Sequence, residues 1–130
     1  AILHQKQMKN FMKQIILTFY FLLIVCFSYG QVPKSGIYYY TIRHAESPNL
    51  KTNVKCKVEI DDDKVKVIFL SGNLSKVKKG DVLDEGIIMK HKSGKWIIGK
   101  TKKDAKLDEI GGCTDGPSEI DFKKKIYWIC

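Results

Sequence analysis

The residues best equipped for chemistry stand together in Tyr40-Thr41-Ile42-Arg43-His44-Ala45-Glu46-Ser47. A histidine exchanges a proton near neutral pH and can attack as a nucleophile, and an arginine beside it can clamp an anion. Arg43 is the only arginine in the chain, and His91 is the only other histidine beyond the leader-like start. Cysteine chemistry is the second candidate, since the chain carries Cys26, Cys56, Cys113 and Cys130. No pair among His44, His91, Cys113 and Cys130 has a close ligand spacing such as C-x-x-C or H-x-x-x-H, so neither a metal nor another cofactor is expected.

The octapeptide around Arg43 and His44 resembles the strand-end Arg-His-Gly/Ala-Glu motif of the histidine phosphatase superfamily. The resemblance implies His44 as the phosphoryl-accepting nucleophile and Arg43 as a phosphate ligand. The rest of the chain departs from that family, whose phosphate pocket uses a further arginine and a second histidine. No second arginine exists here, and Met89-Lys90-His91-Lys92 lacks the family's small-residue setting. A histidine without its clamp does little for the charge of a transferring phosphoryl group. Catalysis at Arg43 and His44 is therefore the alternative expectation, and a non-catalytic protein the main one.

Three further motifs are coincidental or structural. Gly94-Lys95-Trp96-Ile97-Ile98-Gly99-Lys100-Thr101 fits the P-loop pattern letter by letter. That pattern works through a flexible loop whose amides wrap phosphates, whereas Lys-Trp-Ile-Ile is bulky and strand-forming. Asp61-Asp62-Asp63 lacks the glycine and distal glutamate of a calcium loop and reads as a hairpin turn. Asn73-Leu74-Ser75 is a glycosylation sequon that a bacterial exported protein leaves idle.

The elements that position these residues begin with a leader. Ala1–Gln7 precede the first methionine and are set aside as upstream residues. Lys9 and Lys13 then precede the apolar run Ile15–Phe27, and small residues of Ser28-Tyr29-Gly30 place a signal-peptidase cut after Gly30. The run is shorter than the roughly 20 residues a membrane-spanning helix needs, so no stable span is expected after cleavage. Lipidation at Cys26 is disfavoured because Val25, just before it, is not small. The leader resembles those of exported bacterial proteins, which makes the product periplasmic or secreted.

Residues 31–130 are one domain's worth of chain. The leader's three lysines and absence of acids leave 20 cations against 14 acids there, a charge of +6. All but Arg43 are lysines. Readers of nucleic acid favour arginine for its bidentate fork, so nucleic acid is not expected as a partner. An oxidising compartment favours a disulfide. Cys113–Cys130 is the preferred pair, across a hairpin turning near Asp121–Lys124, with Cys56–Cys113 and Cys56–Cys130 as alternatives.

Val54, Cys56, Val58 and Ile60 alternate with polar residues, and Val65, Val67 and Phe69 continue the phase beyond Asp61–Asp63, a hairpin with one apolar face. Ile37–His44 forms a strand before it. Ile87–His91 and Lys95–Lys100 form a second hairpin, and Glu119–Phe122 with Lys125–Ile129 a third. Leu74–Gly86 shows no clear period, and Thr101–Ile110 reads as a short helix. The fold class is all-β, a small antiparallel sandwich or barrel of about seven strands built from hairpins.

Neighbouring aromatics on a strand face opposite ways, so some must lie outside the core. Tyr38, Tyr40, Trp96 and Tyr127, with Lys123 and Lys124, are the ligand-binding candidates. A binding module whose partner is a protein or an acidic glycan or other anionic envelope polymer is the expected function.

Overall fold

The structure is a computed structural model that describes residues 2–28, with side chains as far as residue 22, and residues 31–130. It divides into two compact units, Ala1–Gln31 and Val32–Cys130. The first unit is a helix, α1 (Ile2–Ser28), which runs without a break through residues 2–7 and on to residue 28 of the expected leader. Apolar side chains such as Ile16, Phe19 and Phe21 are exposed along it. Among the described residues, no helix is long and apolar enough to cross a membrane. The expected cut after Gly30 and the side chain of Cys26 lie outside the described residues.

The second unit is a closed barrel of seven strands in sequence order: β1 (Gly36–His44), β2 (Lys55–Asp61), β3 (Lys64–Ser71), β4 (Val82–Lys90), β5 (Trp96–Gly99), β6 (Ser118–Asp121) and β7 (Ile126–Ile129). Each strand pairs antiparallel with the next. An odd number of alternating strands brings the first and last together pointing the same way. The closing pair β1–β7 is accordingly parallel, Thr41 opposite Ile126 and His44 opposite Ile129. The all-β barrel matches the expectation from sequence, with this one parallel seam added to an otherwise antiparallel sheet.

The period-two pattern lands as read. Cys56, Val58 and Ile60 of β2 and Val65, Val67 and Phe69 of β3 all point into the core. They join Tyr40 and Ile42 of β1, Ile88, Ile98, Ile120 and Tyr127. Burial of these side chains at about 25 cal/mol per Å² is the main force holding the strands together. Asp62, in the left-handed region at φ 53°, makes the β2–β3 turn, and its N–H donates to Ser35 Oγ at 2.9 Å. The P-loop lookalike is strand over Trp96–Gly99, with Ile97, Ile98 and Gly99 buried.

One segment differs from the expectation and another meets it. β4 begins at Val82, five residues before the expected Ile87, because Asp84 occupies a largely buried position and breaks the apolar alternation. The segment Thr101–Ile110 holds the expected short helix as a 3₁₀ helix, Lys102–Lys106, whose first turn is held by Asp104 Oδ2 accepting from the N–H of Lys100 (2.7 Å) and of Thr101 (3.2 Å).

At Gly86 an added Cβ would lie 2.3 Å from the carbonyl oxygen of Gly99 on the next strand. Gly86→Ala must therefore push β4 off β5, and urea denaturation should show a loss of about 1–3 kcal/mol. Cys56 is a buried free thiol whose Sγ lies 3.6 Å from Tyr40 O. Burial pushes the Cys56 thiol and the Tyr40 phenol each up to about 12. The unfolded chain releases both protons nearer their ordinary values, so above about pH 8.5 it binds fewer protons than the folded one. Stability should hold below that pH and decline as pH rises toward 12, and thermal melts of Cys56→Ala should show a shallower decline.

Candidate functional site

Three places on the barrel bring polar chemistry together. The first is the end of the seam, where β1 and β7 finish side by side. His44 Nδ1 lies 3.2 Å from Cys130 O, and Ala45 N–H donates to Ile129 O at 2.7 Å. The Arg43 guanidinium donates through Nη1 to Pro48 O at 3.4 Å, across the turn that follows the strand. Arg43 and His44 are sequence neighbours on a strand, so their side chains leave opposite faces. His91, the one other histidine of the barrel, is three strands away around the wall. It is buried, with Nε2 at Leu107 O and Nδ1 2.8 Å from Ser93 Oγ. Both its ring nitrogens are engaged, and the structure does not bring it to His44.

The disulfide Cys113–Cys130 forms at this same end. The pairing is the preferred one, but Cys113 is not on the β6 arm of the terminal hairpin. It sits in the loop before β6, where Gly111 and Gly112 at φ 61° and 58° turn the chain back toward Cys130. The Glu46 carboxylate closes the cluster, with Oε1 3.2 Å from Cys113 Sγ and 3.7 Å from Cys130 Sγ. Bonded sulfurs carry no proton, so these are contacts of an anion with the bridge. The three ligand atoms lie within 4.8 Å of one another, but the disulfide leaves no thiolate to offer a cation.

The second place is a cavity of about 340 Å³ beside the 3₁₀ helix, lined in part by Asp84, Lys100, Asp104, Asp115 and Ser118. Tyr127 OH donates to Asp84 Oδ2 at 3.1 Å and lies 3.4 Å from Ser118 Oγ, while Lys100 Nζ pairs with Asp84 Oδ1 at 3.3 Å. Burial first, and then the facing Asp84 carboxylate, hold the Tyr127 phenol well above its usual range. The network satisfies a tyrosine hydroxyl inside the barrel, and its partners are already committed.

The third place is the outward face of β1 and β2. Ile37 and Tyr39 are 57% and 65% exposed, opposite Glu59 and Lys57 respectively. Lys57 Nζ pairs with Glu59 at 3.2 Å, and Lys55 Nζ donates to Thr41 Oγ1 at 3.0 Å.

The ligand-binding candidates read from sequence divide between core and surface. Tyr40 and Tyr127 are buried, at 2% and 3%, and their rings present nothing to a ligand. Both share the inward phase of Ile42 and Ile120, which corrects their selection. Tyr38 is half-buried, packs against the core and donates its hydroxyl to Lys34 O at 2.6 Å. Trp96 is half-buried too, edge-on to Phe122 at 6.0 Å with Lys90 Nζ 5.8 Å over its ring. Lys123 and Lys124 are exposed on the β6–β7 turn, where Lys124 N–H donates to Asp121 Oδ1. Ile37 and Tyr39, of opposite phase to Tyr40 and Ile42, are exposed large side chains of β1 that the sequence reading did not select.

No protein-family model matches the chain, and no curated protein and no solved structure matches it either.

The Glu46 charge should repel the thiolate of a reducing agent and slow its attack on the bridge. Glu46→Gln should speed reduction by an anionic thiol a few-fold at low salt, with the gain shrinking at high salt; stopped-flow thiol assays read it. Removing the bridge by Cys130→Ser should lower stability by about 3 kcal/mol.

Proposed function

We propose that the barrel is an exported, non-catalytic binding module whose ligand is a protein or an anionic envelope polymer. The observation that carries this reading is the outward face of β1, where Ile37 and Tyr39 stand 57% and 65% exposed beside Lys55 and Lys57. A large apolar residue and an aromatic one on adjacent outward positions, with cations at hand, are what binding surfaces concentrate. The disulfide is compatible with an exported protein. The basic excess of residues 31–130, +6, favours an acidic ligand over a basic one.

The rival reading is a reduced histidine-phosphatase-like enzyme at Arg43 and His44. Arg43 Nε is buried without a hydrogen-bond partner among the described residues, the one feature at that motif which a bound anion would relieve. The geometry favours it less, since His91 is engaged elsewhere and no second arginine exists.

Tyr39→Ala in the full chain should weaken binding of the partner recovered from its own envelope fraction by about tenfold, as truncation of a central aromatic contact does. His44→Ala should leave that binding unchanged. Hydrolysis of p-nitrophenyl phosphate by the purified chain that disappears in His44→Ala would instead establish the enzyme reading.

A further inference from the structure

The closing seam is shorter than β1. Parallel pairing with β7 begins at Thr41, whereas pairing with β2 begins at Gly36. The N–H of Thr41 and of Ala45 donate across the seam, to Lys125 O and Ile129 O, while Ile42 N–H donates to Val54 O on the opposite side. Alternation along an extended strand therefore directs the N–H and C=O of Ile37 and Tyr39 toward the seam side, below the point where β7 starts. Among the described residues, no backbone hydrogen bond reaches these groups on that side. The barrel is closed, yet it keeps a short free strand edge whose outward side chains are the exposed Ile37 and Tyr39.

The surroundings of this edge carry a charge gradient. At its upper end is the β6–β7 turn, with Lys123, Lys124 and Lys125 all exposed, and Lys125 O is the last acceptor of the seam. None of these three lysine side chains forms a salt bridge among the described residues. At the lower end lies the acidic Asp61–Asp63 turn, tied to the start of β1 through Ser35.

We propose that this edge takes an extended acidic segment of a partner protein as an added strand, main chain to main chain along Ile37–Tyr39. The acidic residues of the segment lie toward Lys123–Lys125. The inference rests on the binding-module reading and assigns its ligand class. Unpaired backbone donors and acceptors in an extended row select a strand, since only a strand satisfies them in register. The lysines select its charge, and they also disfavour a second copy of this basic chain, whose own lysine turn would meet them.

The test uses the full chain, ¹⁵N-labelled, with three probes: a ten-residue peptide of alternating glutamate and valine, the same peptide N-methylated at alternate residues, and alginate. Before any addition, the Ile37 and Tyr39 amides should exchange at least tenfold faster than those of Tyr38 and Tyr40, which face β2. The unmodified peptide should protect Ile37 and Tyr39 at least tenfold, and the methylated one should not. Lys123→Glu with Lys124→Glu should weaken the unmodified peptide tenfold or more while leaving the exchange pattern of the free chain unchanged. Ile37 and Tyr39 amides already protected in the dilute free chain would overturn the proposal, as would protection that grows with concentration together with a dimer in sedimentation. Binding of alginate, or of both peptides alike, in a way that Tyr39→Ala abolishes but without amide protection, would remove strand addition and leave the binding-module reading standing. Failure of every probe to bind would remove both.

Discussion

Everything in the barrel depends on one pairing, the parallel seam between β1 and β7. The other strand pairs join consecutive strands, most of them through hairpins, and each needs only its neighbour in sequence. The seam alone joins residues 85 positions apart, Arg43 with Trp128 and His44 with Ile129. Such a contact must overcome the entropy of closing a long loop before it stabilises anything. Without it Tyr40 and Ile42 on one edge and Tyr127 on the other would line an open sheet, and the shared core would face water.

Several features near the top of the seam make sense as fasteners for that one contact. The disulfide ties Cys130, the residue after β7, to a loop that reaches it only because Gly111 and Gly112 adopt left-handed backbone. His44 reaches the Cys130 carbonyl from the other strand, and Glu46 lies against both sulfurs. His44 and Glu46, both within the octapeptide around Arg43, thus stand at the fastened end of a strand pair. Tyr127 adds an internal tie from β7 to β4 through Asp84, so a largely buried carboxylate and a buried hydroxyl satisfy one another across the barrel.

What was legible in the sequence was local. Val54–Ile60 announces its strand because it alternates without exception, Val65–Phe69 keeps the same phase with only Ile68 out of pattern, and the aspartates Asp61–Asp63 announce the reversal. The seven-strand count was legible as well, and with it the parity that forces a parallel closure, although that consequence needs closure itself to be known. β4 was misplaced because Asp84 takes a largely buried position, a choice that only Tyr127 and Lys100, at 43 and 16 residues' distance, explain. Tyr40 reads as a surface candidate, although it is buried, for a related reason. Tyr38, Tyr39 and Tyr40 are chemically alike, and their difference is a matter of phase against Ile42, which points inward.

The mismatch in length between β1 and β7 links closure of the barrel to the open edge of β1. A β7 that began level with Gly36 would seal the barrel along its full height and leave no unpaired backbone. Instead the chain turns at Phe122–Lys125 and starts β7 only opposite Thr41, with Lys125 at φ 58° making the last step of that turn. The position of the turn therefore sets both how much of the seam stabilises the fold and how much of β1 stays open. Proteins usually guard an open edge by shortening it and placing lysines beside it. Both devices are present here: the edge runs only from Ile37 to Tyr39, and Lys123–Lys125 crown it. Lysines that repel a like-charged copy attract an acidic strand, so the same three residues that keep the edge from pairing with itself would choose what it pairs with.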